Sequence, residues 1–161
     1  MVPFDISSVF KGIGRVVIVG VGSEFRGDDA AGVLVARNLK KSVKSPNVLI
    51  IEAGVAPENF TSGIRKFKPS HVILVDAADF KAKPGTVRLF KDLSAAIGQS
   101  ISTHKLSLSI LSDYLRDQTS AKVLLIGIQP AGAEMGGKMC EEVKDAVDEV
   151  TEALAKNMHS L

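Results

Sequence analysis

Short apolar runs alternate along the chain with longer amphipathic stretches, and this rhythm predicts strands followed by helices. Residues 15–21 are apolar enough for a central strand buried on both faces. Residues 28–41 read as a helix, with Leu34, Val35 and Leu39 supplying part of its buried face. A second strand covers 47–52 (NVLIIE), and Phe60, Ile64 and Phe67 at helical spacing mark a short helix over 57–66. Residues 71–76 (HVILVD) form a third buried strand. Residues 86–90 (TVRLF) alternate after Pro84-Gly85, as an edge strand or hairpin arm does. Residues 105–116 read as a helix with Leu106, Ile110, Leu111, Tyr114 and Leu115 on adjacent faces. Residues 122–128 (KVLLIGI) are the last central strand. An amphipathic helix over 141–156 closes the chain, with Val143, Val147, Val150 and Leu154 inward.

Such an alternation predicts an α/β fold: one domain over 1–161, with a twisted, mostly parallel five-stranded sheet between two layers of helices. Residues 1–14 read as an N-terminal extension able to flex. At 161 residues the chain can bury one substantial core.

Composition narrows the function classes. Twenty Lys and Arg against 18 Asp and Glu leave a net charge of +2, and the basic residues are scattered along the chain. With seven Phe, one Tyr and no Trp, neither a basic footprint nor a stacking surface for nucleic acid is expected. The single cysteine, Cys140, can form neither an internal disulfide nor a thiolate metal cluster, and reads as a small apolar filler at the start of the last helix. The apolar runs are strand-sized, so no membrane insertion is expected, and no secretory signal is visible in MVPFDISSVFKG. The expectation is a cytoplasmic protein, and a monomer, because no exposed apolar stripe is evident.

The first strand runs into Gly20-Val21-Gly22, the way phosphate-cradling loops of α/β folds begin. The third glycine of a dinucleotide fingerprint is not at its spacing, even though Glu52 imitates the ribose-binding acid. Instead, the turn delivers Asp28 and Asp29 to the next helix start, where a phosphate would sit, so the loop favours a cation. One acid suffices to cap a helix, which makes the second surplus. In open α/β sheets ligands bind beyond the C-terminal strand ends. Asp28, Asp29, Glu52, Asp76 and Gln129 are all expected at that edge, and His104, just before a helix, can join them. With carboxylates converging on it, His104 is the expected nitrogen ligand of a borderline metal. His71 opens its strand at the far end and His159 lies in the tail, so neither is a candidate. No Gly-x-Ser-x-Gly elbow supports a serine hydrolase.

These segments, in order, resemble the hydrogenase maturation proteases, which process the large subunit of [NiFe] hydrogenases. Gly22-Ser23 through Asp28-Asp29-Ala30-Ala31-Gly32 is similar to the family's opening motif, with Ser23 for its usual Asn and Ala30 for a frequent Gly. IIEAGVAPEN (50–59), ILVDAADF (73–80), STHKLSL (102–108) and LLIGIQP (124–130) are similar to its later blocks, with Glu52 where many members have Asp. The resemblance spans residue 15 to the final helix, and the nearest branch serves membrane-associated, hydrogen-evolving hydrogenases. It implies an endopeptidase that removes a C-terminal extension from a [NiFe]-hydrogenase large-subunit precursor after nickel insertion.

Carried over by position, the family's metal-sensing and catalytic trio falls on Asp29, Asp76 and His104. Nickel is then the implied metal, brought by the substrate and not held permanently, with Asp28 left to capping or to support of the site. The attacking group stays open between water on nickel and water activated by Asp29, Asp76 or Glu52. Two alternatives stand beside this reading: a metallopeptidase with its own zinc, which lacks a His-Glu-x-x-His signature here, and a flavodoxin-like binding module or chaperone that grips the precursor without cutting it.

Overall fold

The computed structural model describes residues 4–93, 103–132 and 134–161, with backbone alone for 103–107. Its elements are β1 (Val16–Val21), a 3-10 turn (Gly27–Ala30), α1 (Ala31–Ser42), β2 (Val48–Gly54), a second 3-10 turn (Pro57–Phe60) and α2 (Thr61–Phe67). They continue with β3 (His71–Ala77), β4 (Val87–Phe90), α3 (Thr103–Thr119), β5 (Lys122–Ile128) and α4 (Glu141–Met158). The sheet has the order β2-β1-β3-β5-β4. Every pair is parallel except β4 with β5, so the residues 86–90 segment is the antiparallel edge strand.

Both faces of the central strands are covered, which is why their sequences read as continuous apolar runs. Val16 and Ile18 of β1 pack with Ile73 and Val75 of β3 beneath α1 and α4. Val17, Val19 and Val21 pack with Val72 and Leu74 on the opposite face, beneath α2 and α3. Val143, Val147, Val150 and Leu154 of α4 all point inward, as their spacing predicts. The N-terminal segment belongs to the globule over its described part. Ile6 is fully buried, and the Phe4 backbone N–H donates to Glu149 Oε1 at 2.6 Å.

Three local readings differ from the structure. The helix read from residue 28 opens as a 3-10 turn and becomes α-helical only at Ala31. In α3, Leu108, Leu111 and Leu115 make the buried stripe, whereas Ile110 and Tyr114 are 65% and 40% exposed. At about 100° per residue, 110 and 114 form a second stripe that turns past the sheet. The second strand does not end at Glu52 but continues to Gly54, with a register shift between Gly20 and Val21 of its partner.

Helix α1 is seated close against the sheet at two glycines. A methyl group on Gly32 would collide with the carbonyl oxygens of Val21 and Val75, and one on Gly20 with the Gly32 carbonyl. The two glycines let the first turn of α1 rest directly on the ends of β1 and β3. No helix among the described residues is long and apolar enough to cross a membrane.

Candidate active site

The strand order reverses between β1 and β3, since the chain leaves β1 for β2 on one side and returns to β3 on the other. Crevices of this kind at the C-terminal strand ends are where open α/β sheets bind ligands. Gly20 is paired with Val75, so Gly22 and Asp76 emerge side by side at that crevice. Gly22 has φ +130°, and a Cβ there would strike the Asp29 carbonyl and stand 3.7 Å from Asp76 Oδ1. The glycine is thus required by conformation and by space, and it lies between the two acids.

Asp29 is 7% exposed and Asp76 is fully buried. The Ser23 backbone N–H donates to Asp29 Oδ2 at 2.9 Å, which ties the glycine turn to the acid it delivers. Asp76 follows Val72 and Leu74 in the strand alternation, so it projects toward the face covered by α2 and α3. His104 is the second residue of α3. That helix ends at Thr119, and β5 starts soon after at Lys122, opposite His71 at the N-terminal edge of the sheet. Seventeen residues rising about 1.5 Å each carry the start of α3 back to the level of the C-terminal strand ends. The helix is therefore long enough to return His104 to that edge, and it packs on the face toward which Asp76 projects. Its side chain is outside the described residues, and among those residues no three His, Cys, Asp or Glu side chains gather into a metal site.

The other sequence candidates have different work. Asp28 is 2% exposed and caps neither helix, since the cap residues Arg26 and Ala30 make no side-chain cap bond. Its Oδ2 accepts the backbone N–H groups of Ala131 (2.7 Å) and Gly132 (3.1 Å), and its Oδ1 that of Cys140 (2.9 Å). The Cys140 thiol donates to the same carboxylate at 3.5 Å, and burial, with the charge of Asp28, raises that thiol's pKa. Cys140 is therefore more than an apolar filler, and Asp28 anchors the backbone at Ala131, Gly132 and Cys140.

Glu52 is displaced from the candidate set. Its carboxylate accepts from Arg37 Nε at 2.9 Å and Lys40 Nζ at 3.2 Å, and Arg37 also reaches Glu24 at 2.7 Å. Burial acts to raise its pKa, but the two cations outweigh it and hold the carboxyl below the usual value. A carboxylate so neutralised is a poor base. Gln129 is likewise structural: its Oε1 accepts from Phe80 N (2.8 Å) and Ala82 N (3.2 Å), and its Nε2 donates to Asp79 Oδ1 (3.2 Å). The signal for Asp28 was present in the surplus acid, but nothing near it in sequence names its partners.

A family model for hydrogenase maturation proteases (HycI) matches residues 33–157. The chain belongs to the hydrogenase maturation protease family. A putative hydrogenase maturation protease of Methanocaldococcus jannaschii is 33% identical over 158 residues, covering 94% of this chain and 92% of the relative. The hydrogenase 3 maturation protease of Escherichia coli K12 is 34% identical over 138 residues, covering 86% and 87%. The crystal structure of a [NiFe] hydrogenase maturation protease HycI from Thermococcus kodakarensis superposes with a TM-score of 0.88 at 39% identity, covering 94% of this chain and 97% of that one. The five-stranded, mostly parallel fold flanked by helices is thus the fold of this family of hydrolases, and this chain carries the Asp29/Asp76 crevice at its switch point.

Proposed function

We propose that this protein is the endopeptidase that removes the C-terminal extension of a [NiFe]-hydrogenase large-subunit precursor once nickel has been inserted. It acts as a monomer in the cytoplasm. The nickel is carried in by the substrate, and Asp29, Asp76 and His104 complete its coordination. The observation that carries this reading is the pair of buried carboxylates flanking Gly22 at the switch point, on the side to which α3 brings His104.

Two carboxylate oxygens and an imidazole nitrogen suit a borderline divalent cation and leave positions for ligands from the substrate. Nickel held this way serves as the signal that maturation has reached the cutting step. It also polarises the scissile carbonyl or lowers the pKa of the attacking water. Fixing the metal between the 3-10 turn after β1, the end of β3 and the start of α3 orients the adjacent peptide bond without a resident cofactor. This fits a site assembled from acids and one imidazole, without a thiolate cage.

A cleavage assay on the co-expressed precursor tests the reading. Wild-type protein cuts the nickel-loaded form, and His104→Ala reduces that rate about a hundredfold or more. Equal cleavage of nickel-free and nickel-loaded precursor by the wild type would falsify nickel gating.

A further inference from the structure

Next to the acid crevice, on the β2 side of β1, lies a cleft of about 340 Å³, and ligand sites commonly measure about 300–1,000 Å³. Gly22 and Ser23 line this cleft, and the Ser23 backbone N–H holds Asp29 Oδ2, so the cleft borders the loop that carries Asp29. Its lips are Phe25 and Val55, which are 68% and 60% exposed. Large apolar side chains left in water beside a reactive centre mark a contact surface. Gly136 N–H donates to Phe25 O at 2.7 Å, and Gly22 N–H donates at 2.8 Å to the carbonyl of Gly54, the residue before Val55.

The floor carries charge, but it is spent internally. Arg37 is held between Glu24 and Glu52, and Lys40 takes the second oxygen of Glu52. A guanidinium engaged on both sides is poorly placed to grip a carboxylate of an incoming chain, and two acids already matched by two cations offer little to a basic side chain. A charge-balanced floor under apolar lips selects a neutral, apolar group.

We infer that this cleft is a specificity subsite for the precursor: an apolar side chain next to the scissile bond seats between Phe25 and Val55. The inference rests on the proposed protease function and adds to it the residues that choose the peptide. The place of the cleft beside the Asp29 loop makes the precursor chain the occupant, because a peptide presented to Asp29 and Asp76 must leave the crevice past one strand end or another. The β2 side offers both space and exposed apolar contact.

Steady-state cleavage of nickel-loaded precursor by a Phe25→Ser/Val55→Ser double variant tests this, with Ile110→Ser on α3 as the exposed apolar control. The double variant raises KM about tenfold and leaves kcat within about twofold, since seating an apolar side chain is commonly worth that factor. The control changes neither. Titration with nickel-loaded precursor in an Asp29→Asn background shows the same factor in Kd. An unchanged KM and Kd, an equal effect of Ile110→Ser, or a loss confined to kcat overturns the subsite. Full turnover by Asp29→Asn itself overturns the catalytic reading instead, and the Kd comparison then still decides the cleft.

Discussion

Asp29 and Asp76 occupy positions where an acid is costly, one almost and one wholly out of contact with solvent. Asparagine keeps the shape of aspartate and removes its charge, so Asp29→Asn and Asp76→Asn separate chemistry from packing. Each is expected to lower precursor processing about a hundredfold or more, with the circular dichroism spectrum unchanged. Gly22 is the complementary case, because its function is to have no side chain. Gly22→Ala places a methyl group against the Asp29 carbonyl at a positive φ. It is expected to cost about 2 kcal/mol or more in denaturant unfolding and to abolish cleavage by separating the two acids. A variant with normal stability and activity would rule out this tight packing of the crevice.

At the scale of elements, Asp28 holds the β5–α4 connection onto the 3-10 turn that precedes α1, bridging more than a hundred residues of sequence. Asp28→Ala leaves three backbone N–H groups without their acceptor. The expected loss is about 2–4 kcal/mol, with faster hydrogen exchange at Ala131, Gly132 and Cys140. If exchange at those amides stays at the wild-type rate, the clamp is not what orders the loop. Element types were legible in the sequence because strands and helices differ in local period, and runs such as HVILVD and KVLLIGI carry that period within a few residues. The exposed stripe of Ile110 and Tyr114 was not legible. Leu, Ile and Tyr score alike in a periodicity argument, and only the position of the sheet decides which stripe it covers.

For the whole molecule, acid sensitivity arises from where charges are buried. His71 lies at the N-terminal sheet edge, away from the crevice, with its Nδ1 2.9 Å from Ser70 Oγ. Burial first, and the charge of Lys122 second, push its pKa below the ordinary 6.5. Between its folded pKa and 6.5 the unfolded chain binds more protons than the folded one, so stability rises with pH through that window. Tm should therefore fall as pH is lowered below about 6.5, and His71→Asn should flatten that part of the profile. An identical slope in the variant would assign the effect to other groups. Glu52, whose pKa is depressed, adds a second loss at lower pH as its carboxyl protonates and its ion pairs with Arg37 and Lys40 open.

By itself the sequence determined the alternation of strands and helices, the parallel sheet built from it, and the arrival of acids after the first and third strands. All of these depend on neighbours a few residues apart. Only the tertiary structure decided which acids meet. It set Asp29 and Asp76 on either side of Gly22, turned Asp28 to a loop a hundred residues away, and gave Glu52 to Arg37 and Lys40. It also gave Gln129 to the segment over 79–82. A carboxylate or amide near a sheet edge is satisfied by whatever donors the packing brings within about 3 Å, and that choice has no period along the chain.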